Sequence, residues 1–263
     1  MKNPQSLKRF LDEKASYYES EHFIPFDPIS VPHRFSLKQD IEISGLLTAI
    51  ISWGSRKSII QNAQKLMMLM DNTPFDFVQN HSDSDLKSFR HFVHRTFNHQ
   101  DAVFFIKALH AWYQENDSLE TGFLPETGED HLLAAIHRFR NKLFSYCAPG
   151  RTAKHIADPQ AGSSAKRINM FLRWMVRSNA NGVDFGIWKN ISPSLLSCPL
   201  DVHTGHVARA LGLISRKQND RKALEELDAS LRLFDPEDPV KYDFALFGLG
   251  QEGITTHLQI CFV

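Results

Sequence analysis

The chain has 263 residues, 42% of them hydrophobic and 23% charged, and its 30 Lys or Arg balance 30 Asp or Glu. This is the make-up of a folded protein large enough for one sizeable domain or two lobes, and it excludes a disordered or low-complexity chain. No apolar run approaches the roughly eighteen residues that span a bilayer, and three scattered cysteines, Cys147, Cys198 and Cys261, argue against a disulfide framework and exclude a four-cysteine metal cluster from one chain.

The N-terminal M-K-N-P-Q-S-L-K-R-F-L-D-E-K is amphipathic and lacks a signal-peptide core, so the expected location is the reducing cytoplasm. His22–Arg34 is proline-rich and is expected as an extended connection. The run Ser36 to Gln39, S-L-K-Q, has the form of a capping box and opens a helix through Ile41, Leu46, Leu47 and Ile50. Trp53-Gly54-Ser55 is a turn, and a second helix follows through Ile59, Ile60, Leu66 and Leu69. Further helices are expected near Ala102–Tyr113 and His131–Tyr146, with a polar loop at Ser118–Asp130 between them.

Ser163 or Ser164 is the expected cap of a helix carrying Ala165, Ile168, Phe171, Leu172 and Met175 on one side. Another helix follows Asp201, with Val207, Ala208 and Leu211 on one face and Gly212 as its stop. Two more cover Lys222–Leu233 and the stretch after Asp238, where Pro239 suits the first helical position because its missing N–H is not needed there. No β-branched alternation persists, so the expected fold is all-α.

Charge is unevenly spread. Residues 151–222 hold twelve Lys or Arg against four Asp or Glu, a local balance of +8, whereas residues 223–263 are at −6. A basic face of this kind suits a phosphate backbone; it is equally the pattern of a solvated surface balanced by the acidic tail. The basic segment contains P-L-D-V-H-T-G-H-V-A-R-A-L-G-L, Pro199 to Leu213. Asp is a favoured N-cap, so Asp201 reads as a plain cap or as a carboxylate fixed beside His203 and Arg209 for chemistry. His203 and His206 are spaced to face one side and with Asp201 could bind a metal, but no H-E-x-x-H occurs and His91 and His94 offer no clear partner, so a capped helix with a buried or hydrogen-bonded His is the expectation and no metal or cofactor is expected. Trp53, Trp174 and Trp188 read as core or as stacking surfaces for an extruded base.

The segment D-V-H-T-G-H-V-A-R resembles the D-T-H-x-x-R-V segment of the helix-hairpin-helix (HhH-GPD, endonuclease III) superfamily of DNA glycosylases. The longer form P-L-D-V-H-T-G-H-V-A-R is also similar to P-V-D-x-R-V-A-R of archaeal 8-oxoguanine DNA glycosylases. Ser44–Met70 resembles the opening helical pair of endonuclease III, with I-S-W-G-S-R-K where that enzyme has its DNA-reaching turn. D-P-I-S-V-P-H-R-F, F-L-R-W-M-V-R and D-P-V-K-Y-D-F-A-L-F-G-L-G resemble an uncharacterised bacterial family at the edge of that superfamily, over nearly the whole chain to Gly250. The tail after Gly250 matches no pattern of that family.

The resemblance implies a two-lobed helical glycosylase fold with a degenerate hairpin. A central lobe would span 37–178, and 1–36 with 179–263 would form the second. It implies Lys166 as nucleophile and Asp201 as its carboxylate, 35 residues apart in sequence, with His203, Arg167 and Arg209 in support. Trp53, Ser55, Arg56, Lys57, Gly162, Ser163, Ser164, Arg173 and Arg177 would contact nucleic acid. Pro159, Gly162 and Lys166 keep the order of the superfamily's hairpin, but its tight G-V-G turn is missing. The expected partner is damaged duplex DNA, with no membrane and no protein partner. The expected activity is excision of a damaged purine such as 8-oxoguanine with strand cleavage. A catalytically inactive nucleic-acid-binding module and a nucleoside or nucleotide hydrolase are the alternatives.

Overall fold

The computed structural model describes residues 4–253; Cys261 and the tail beyond Gly253 lie outside the described residues. The chain divides into two compact units, one of residues 1–23, 125–134 and 158–263, the other of 24–124 and 135–157. Among the described residues the structure is almost entirely helical, and no helix is long and apolar enough to cross a membrane.

The second of these units is built on α2 (Lys38–Ile50), in which every residue from Ile41 to Ile50 is buried. A helix apolar on nearly all sides has to sit inside its unit. It is covered by α3 (Arg56–Leu69) and α4 (Pro74–Asn80), and α4 packs on α6 (His99–Glu115). The short α5 (Asp83–Leu86) precedes a hairpin of β1 (Val93–His94) and β2 (Phe97–Asn98). The one charged side chain enclosed on α2, Glu42, takes hydrogen bonds from the Tyr113 hydroxyl, the Ser118 hydroxyl and the Leu119 amide. Those bonds offset the cost of burying a carboxylate. Phe139 of α7 (Leu133–Tyr146) stacks on Phe123 at 4.2 Å between ring centres.

The first unit contains α1 (Pro4–Tyr18), α8 (Lys166–Val176), α9 (Val202–Ala210), α10 (Arg221–Phe234) and α11 (Tyr242–Gln251). α11 packs on both α1 and α9. α10 is amphipathic, with Leu224, Leu227, Leu231 and Phe234 buried along one stripe. Residues 183–188 fold back over the end of α8, where Phe185 N–H donates to Trp174 O at 2.7 Å and Trp188 N–H to Met175 O at 3.0 Å.

Several local expectations change. Ser36 forms no capping box: α2 starts at Lys38 behind Leu37, without a side-chain cap. His22–Arg34 is a series of 3-10 turns rather than extended chain, because Pro25, Pro28 and Pro32 hold φ where such turns need it and Asp27 caps the second. The loop at 118–130 contains a 3-10 turn at Leu119–Phe123 that buries both of those residues. Residues 158–178 group with the C-terminal segments in the first unit. Arg173 of α8 and Arg177 just after it pair with Glu19, Asp184, Asp238 and Asp243 of that unit.

Candidate functional site

Asp201 caps α9. Its backbone is extended (φ −109°, ψ −169°), and its Oδ1 accepts the Thr204 amide at 2.9 Å. One free N–H of the first turn is thereby satisfied, as expected for aspartate at this position. The second oxygen, Oδ2, lies 3.9 Å from Lys166 Nζ. Both side chains stay partly open, at 29% for Lys166 and 20% for Asp201. The Lys166 amine also rests 3.9 Å from the Met170 sulfur, one turn along its own helix.

Lys166 is the first residue of α8, and neither Ser163 nor Ser164 caps that helix. The residue before it, Ala165, has a left-handed backbone (φ +47°), which costs a non-glycine residue about 1 kcal/mol. Ser163 Oγ holds the Ala165 amide at 3.1 Å. The turn that presents Lys166 is therefore locally strained and locally fastened. Gly162 is exposed, Ser163 half-buried and Ser164 buried, so only the first part of this turn offers itself to a partner. Arg167 is half-buried, and burial lowers its guanidinium to about 10, so it remains a cation at neutral pH.

His203 is exposed, with its ring edge-on to Phe247 at 6.3 Å. His206 is exposed as well, and among the described residues no group of three or more His, Cys, Asp or Glu is placed to hold a metal. Arg209 is held by the loop that follows α9. Its Nε donates to Arg216 O at 2.8 Å and its Nη2 to Asn219 Oδ1 at 2.6 Å, so it fastens the loop between α9 and α10.

The expected phosphate contacts Arg173 and Arg177 are each only 4% exposed. Arg173 bridges Asp184 and Asp243, and Arg177 bridges Glu19, Asp184 and Asp238. Arg173 also lies over the Phe244 ring at 4.3 Å. Two of the twelve cations that made residues 151–222 look basic are thus spent inside the unit. A guanidinium is the residue suited to such multi-carboxylate burial, because its five donors serve several acceptors at once. Asp238, expected as a helix cap, makes no cap bond for the same reason: Arg177 takes both of its oxygens.

Asp243 is buried near enough to Lys166 and Asp201 to feel both charges. Burial pushes its carboxyl up to about 6, Arg173 and Lys166 pull it down, and the Asp201 charge adds to the rise. Cys198 donates its thiol to Asp243 at 3.7 Å, and burial with Asp243 and Asp228 pushes that thiol well up, so it is not a nucleophile. Asp243 was not singled out in the sequence, although it lies in the segment D-P-V-K-Y-D-F-A-L-F-G-L-G, because its partners Arg173 and Cys198 are distant in the chain.

In the other unit, Trp53 is half-buried, stacked on His155 at 5.7 Å and edge-on to His94 at 5.4 Å. Ser55 caps α3 through the Ser58 amide; Arg56 is half-buried and Lys57 exposed. Gly54 adopts φ +107°, a backbone conformation that side-chain-bearing residues rarely take, so glycine is favoured there. Behind Trp53, Asp101 is fully buried. Burial pushes its carboxyl up, but the Asn98 amide, the Thr152 hydroxyl, His155 and Arg151 outweigh it and hold it below the usual range. Trp174 and Trp188 are core residues, at 0% and 1% exposure.

The chain belongs to the family described as a protein of unknown function, DUF2400, whose profile it matches over residues 27–252. No curated protein and no solved structure matches the chain.

Proposed function

We propose that the protein is a DNA base-excision glycosylase with associated lyase activity, acting on a damaged purine, with 8-oxoguanine the first lesion to test. The observation that carries this reading is the approach of the Lys166 amine to the Asp201 carboxylate at 3.9 Å, with both groups partly open. Cleaving an N-glycosidic bond builds positive charge on the sugar, and a fixed carboxylate stabilises it. In the proposed reaction neutral Lys166 Nζ attacks C1′. The C1′–base bond breaks, the base leaves with the electron pair and takes a proton from water, and Asp201 accepts the proton lost by the attacking nitrogen. Opening of the sugar ring, with the remaining Nζ proton passing through water to the ring oxygen, leaves a Schiff base between Nζ and C1′; loss of a C2′ proton to water then breaks the C3′–O bond, the 3′ phosphate leaves with the electron pair, and the strand is cut. A free lysine is neutral only about once in a few thousand at pH 7, so a carboxylate able to accept its proton matters to the rate.

One observation favours a second reading, a nucleoside hydrolase. Burial of Arg173 and Arg177 removes cations from the surface that a long duplex would cover, and a free nucleoside needs no broad basic face. Base release separates the readings. The full chain is incubated with a lesion-containing duplex, the matching single strand and the free nucleoside, and released base is measured over a range of salt. The DNA reading expects release from duplex that weakens as salt rises, because counterions are freed on binding. Release from free nucleoside alone favours the hydrolase. Salt-dependent binding with no release from any substrate favours a binding module that lacks catalysis.

A further inference from the structure

Lys166 and Asp201 start two helices that are far apart in sequence, yet one three-residue segment touches the turn before each of them. Asn219 Nδ2 donates to the Asp201 carbonyl at 2.7 Å. Asp220 pairs with Ser163 in an isolated antiparallel bridge, and the Arg221 amide donates to Gly162 O at 3.0 Å. Gly162 and Ser163 lie in the turn that ends at Lys166, and Ser163 Oγ fixes the strained Ala165 amide within it. We infer that Asn219–Arg221 is a clasp that sets the separation of Lys166 and Asp201, with Asn219 as the positioning residue. This rests on the reading of Lys166 and Asp201 as the reacting pair.

The clasp is itself anchored. Asp220 caps the fourteen-residue α10 by accepting the Ala223 amide at 3.1 Å, and Arg216 grips both of its carboxylate oxygens. Asn219 is held from its other side, since its Oδ1 takes the Arg209 guanidinium at 2.6 Å. Space is reserved for this pair: a Cβ on Gly205 would come within 2.6 Å of Asn219 Oδ1 and 2.8 Å of Arg209 Nη1. The Asp201 carbonyl therefore receives two donors, the Gly205 amide at 2.9 Å as the first bond of α9 and the Asn219 side chain. The first belongs to any helix. The second ties this helix start to the segment before α10, whose next two residues, Asp220 and Arg221, bond the turn that leads to Lys166. Orientation of reacting groups is worth large factors in rate, and a displacement of about 1 Å can cost about a hundredfold.

Two variants divide the two jobs of Asn219. Asn219→Ala removes both bonds. Asn219→Asp keeps the acceptor for Arg209 but replaces the donor facing the Asp201 carbonyl with an anionic oxygen. Both are made in the full chain. Amide hydrogen exchange at Thr204 and Gly205 is followed by NMR, and borohydride trapping of the Schiff base is timed at saturating lesion duplex. The clasp predicts faster exchange at Thr204 and Gly205 in both variants. It also predicts trapping slower by about tenfold or more in both, with duplex affinity unchanged within about threefold. Unchanged exchange in both variants overturns the clasp, whatever the activity. Wild-type trapping by Asn219→Asp overturns the positioning role and leaves Asn219 as an anchor for Arg209 only. If the wild-type chain traps no DNA, the excision reading fails, while the exchange data still decide whether Asn219 fixes the start of α9.

Discussion

Asp201 divides its carboxylate between two tasks, and the second is Lys166. One oxygen holds the Thr204 amide at 2.9 Å, and the other stands 3.9 Å from the Lys166 amine. A plain cap and a catalytic carboxylate are therefore compatible in one side chain, because the cap occupies a single oxygen. The cap also fixes the rotamer that aims the other oxygen at Lys166.

Asp201→Asn separates the two tasks. Asparagine caps about as well as aspartate, so the melting temperature should stay within a few degrees of wild type. The negative charge facing Lys166 is lost, and single-turnover base release should fall by about a hundredfold or more. Unchanged base release at unchanged melting temperature would reduce Asp201 to a cap.

The buried arginines give a stability prediction of a different size. Arg177→Met leaves Glu19, Asp184 and Asp238 without their shared cation. Breaking a buried ion pair from one side costs about 3–5 kcal/mol, so chemical denaturation should show a loss of that order. Lys189→Ala, at an exposed position, should change stability by less than about 0.5 kcal/mol. Equal, small effects from both variants would contradict the burial of Arg177.

Much of this was legible in the sequence where the cause is local. The Asp201 cap, the turn at Trp53-Gly54-Ser55 and the apolar run of α2 each follow from neighbouring residues. The fate of Arg173 and Arg177 was not, because their partners are distant in the chain: Asp243 is 70 residues from Arg173, and Glu19 is 158 residues from Arg177. Charge counting cannot tell a cation on a surface from one held inside by carboxylates. The same long-range pairing took Asp238 from its expected cap. Asn219 carries no motif, and only the fold brings its amide to the Asp201 carbonyl.

Asp228 supplies a pH test. Burial pushes its carboxyl up to about 6, although the Cys198 amide, Ser197, Arg232 and His131 pull it down. In the unfolded chain it titrates near 3.9. Below about pH 4 the group is neutral in both states and costs nothing. Between about pH 4 and 6 the unfolded chain ionises first, so stability falls as pH rises, and above about pH 6 the penalty is constant. Asp228→Asn retains an acceptor for the Cys198 amide, which now bonds the carboxylate at 2.9 Å. It should therefore stabilise the protein at pH 8 by on the order of 3 kcal/mol, and the gain should vanish below about pH 4. A gain independent of pH, or a loss at pH 8, would contradict a raised carboxyl at this position.

The most direct measurement of the central claim is borohydride trapping of the full chain on a duplex with a single 8-oxoguanine, comparing wild type with Lys166→Gln. The proposed chemistry predicts a covalent protein–DNA adduct for wild type and none for the variant, with both proteins melting at similar temperatures, since a partly exposed helical lysine contributes little to stability. Equal trapping by both proteins would contradict Lys166 as the nucleophile, and no adduct from wild type on this or any other damaged-purine duplex would contradict the lyase reading itself.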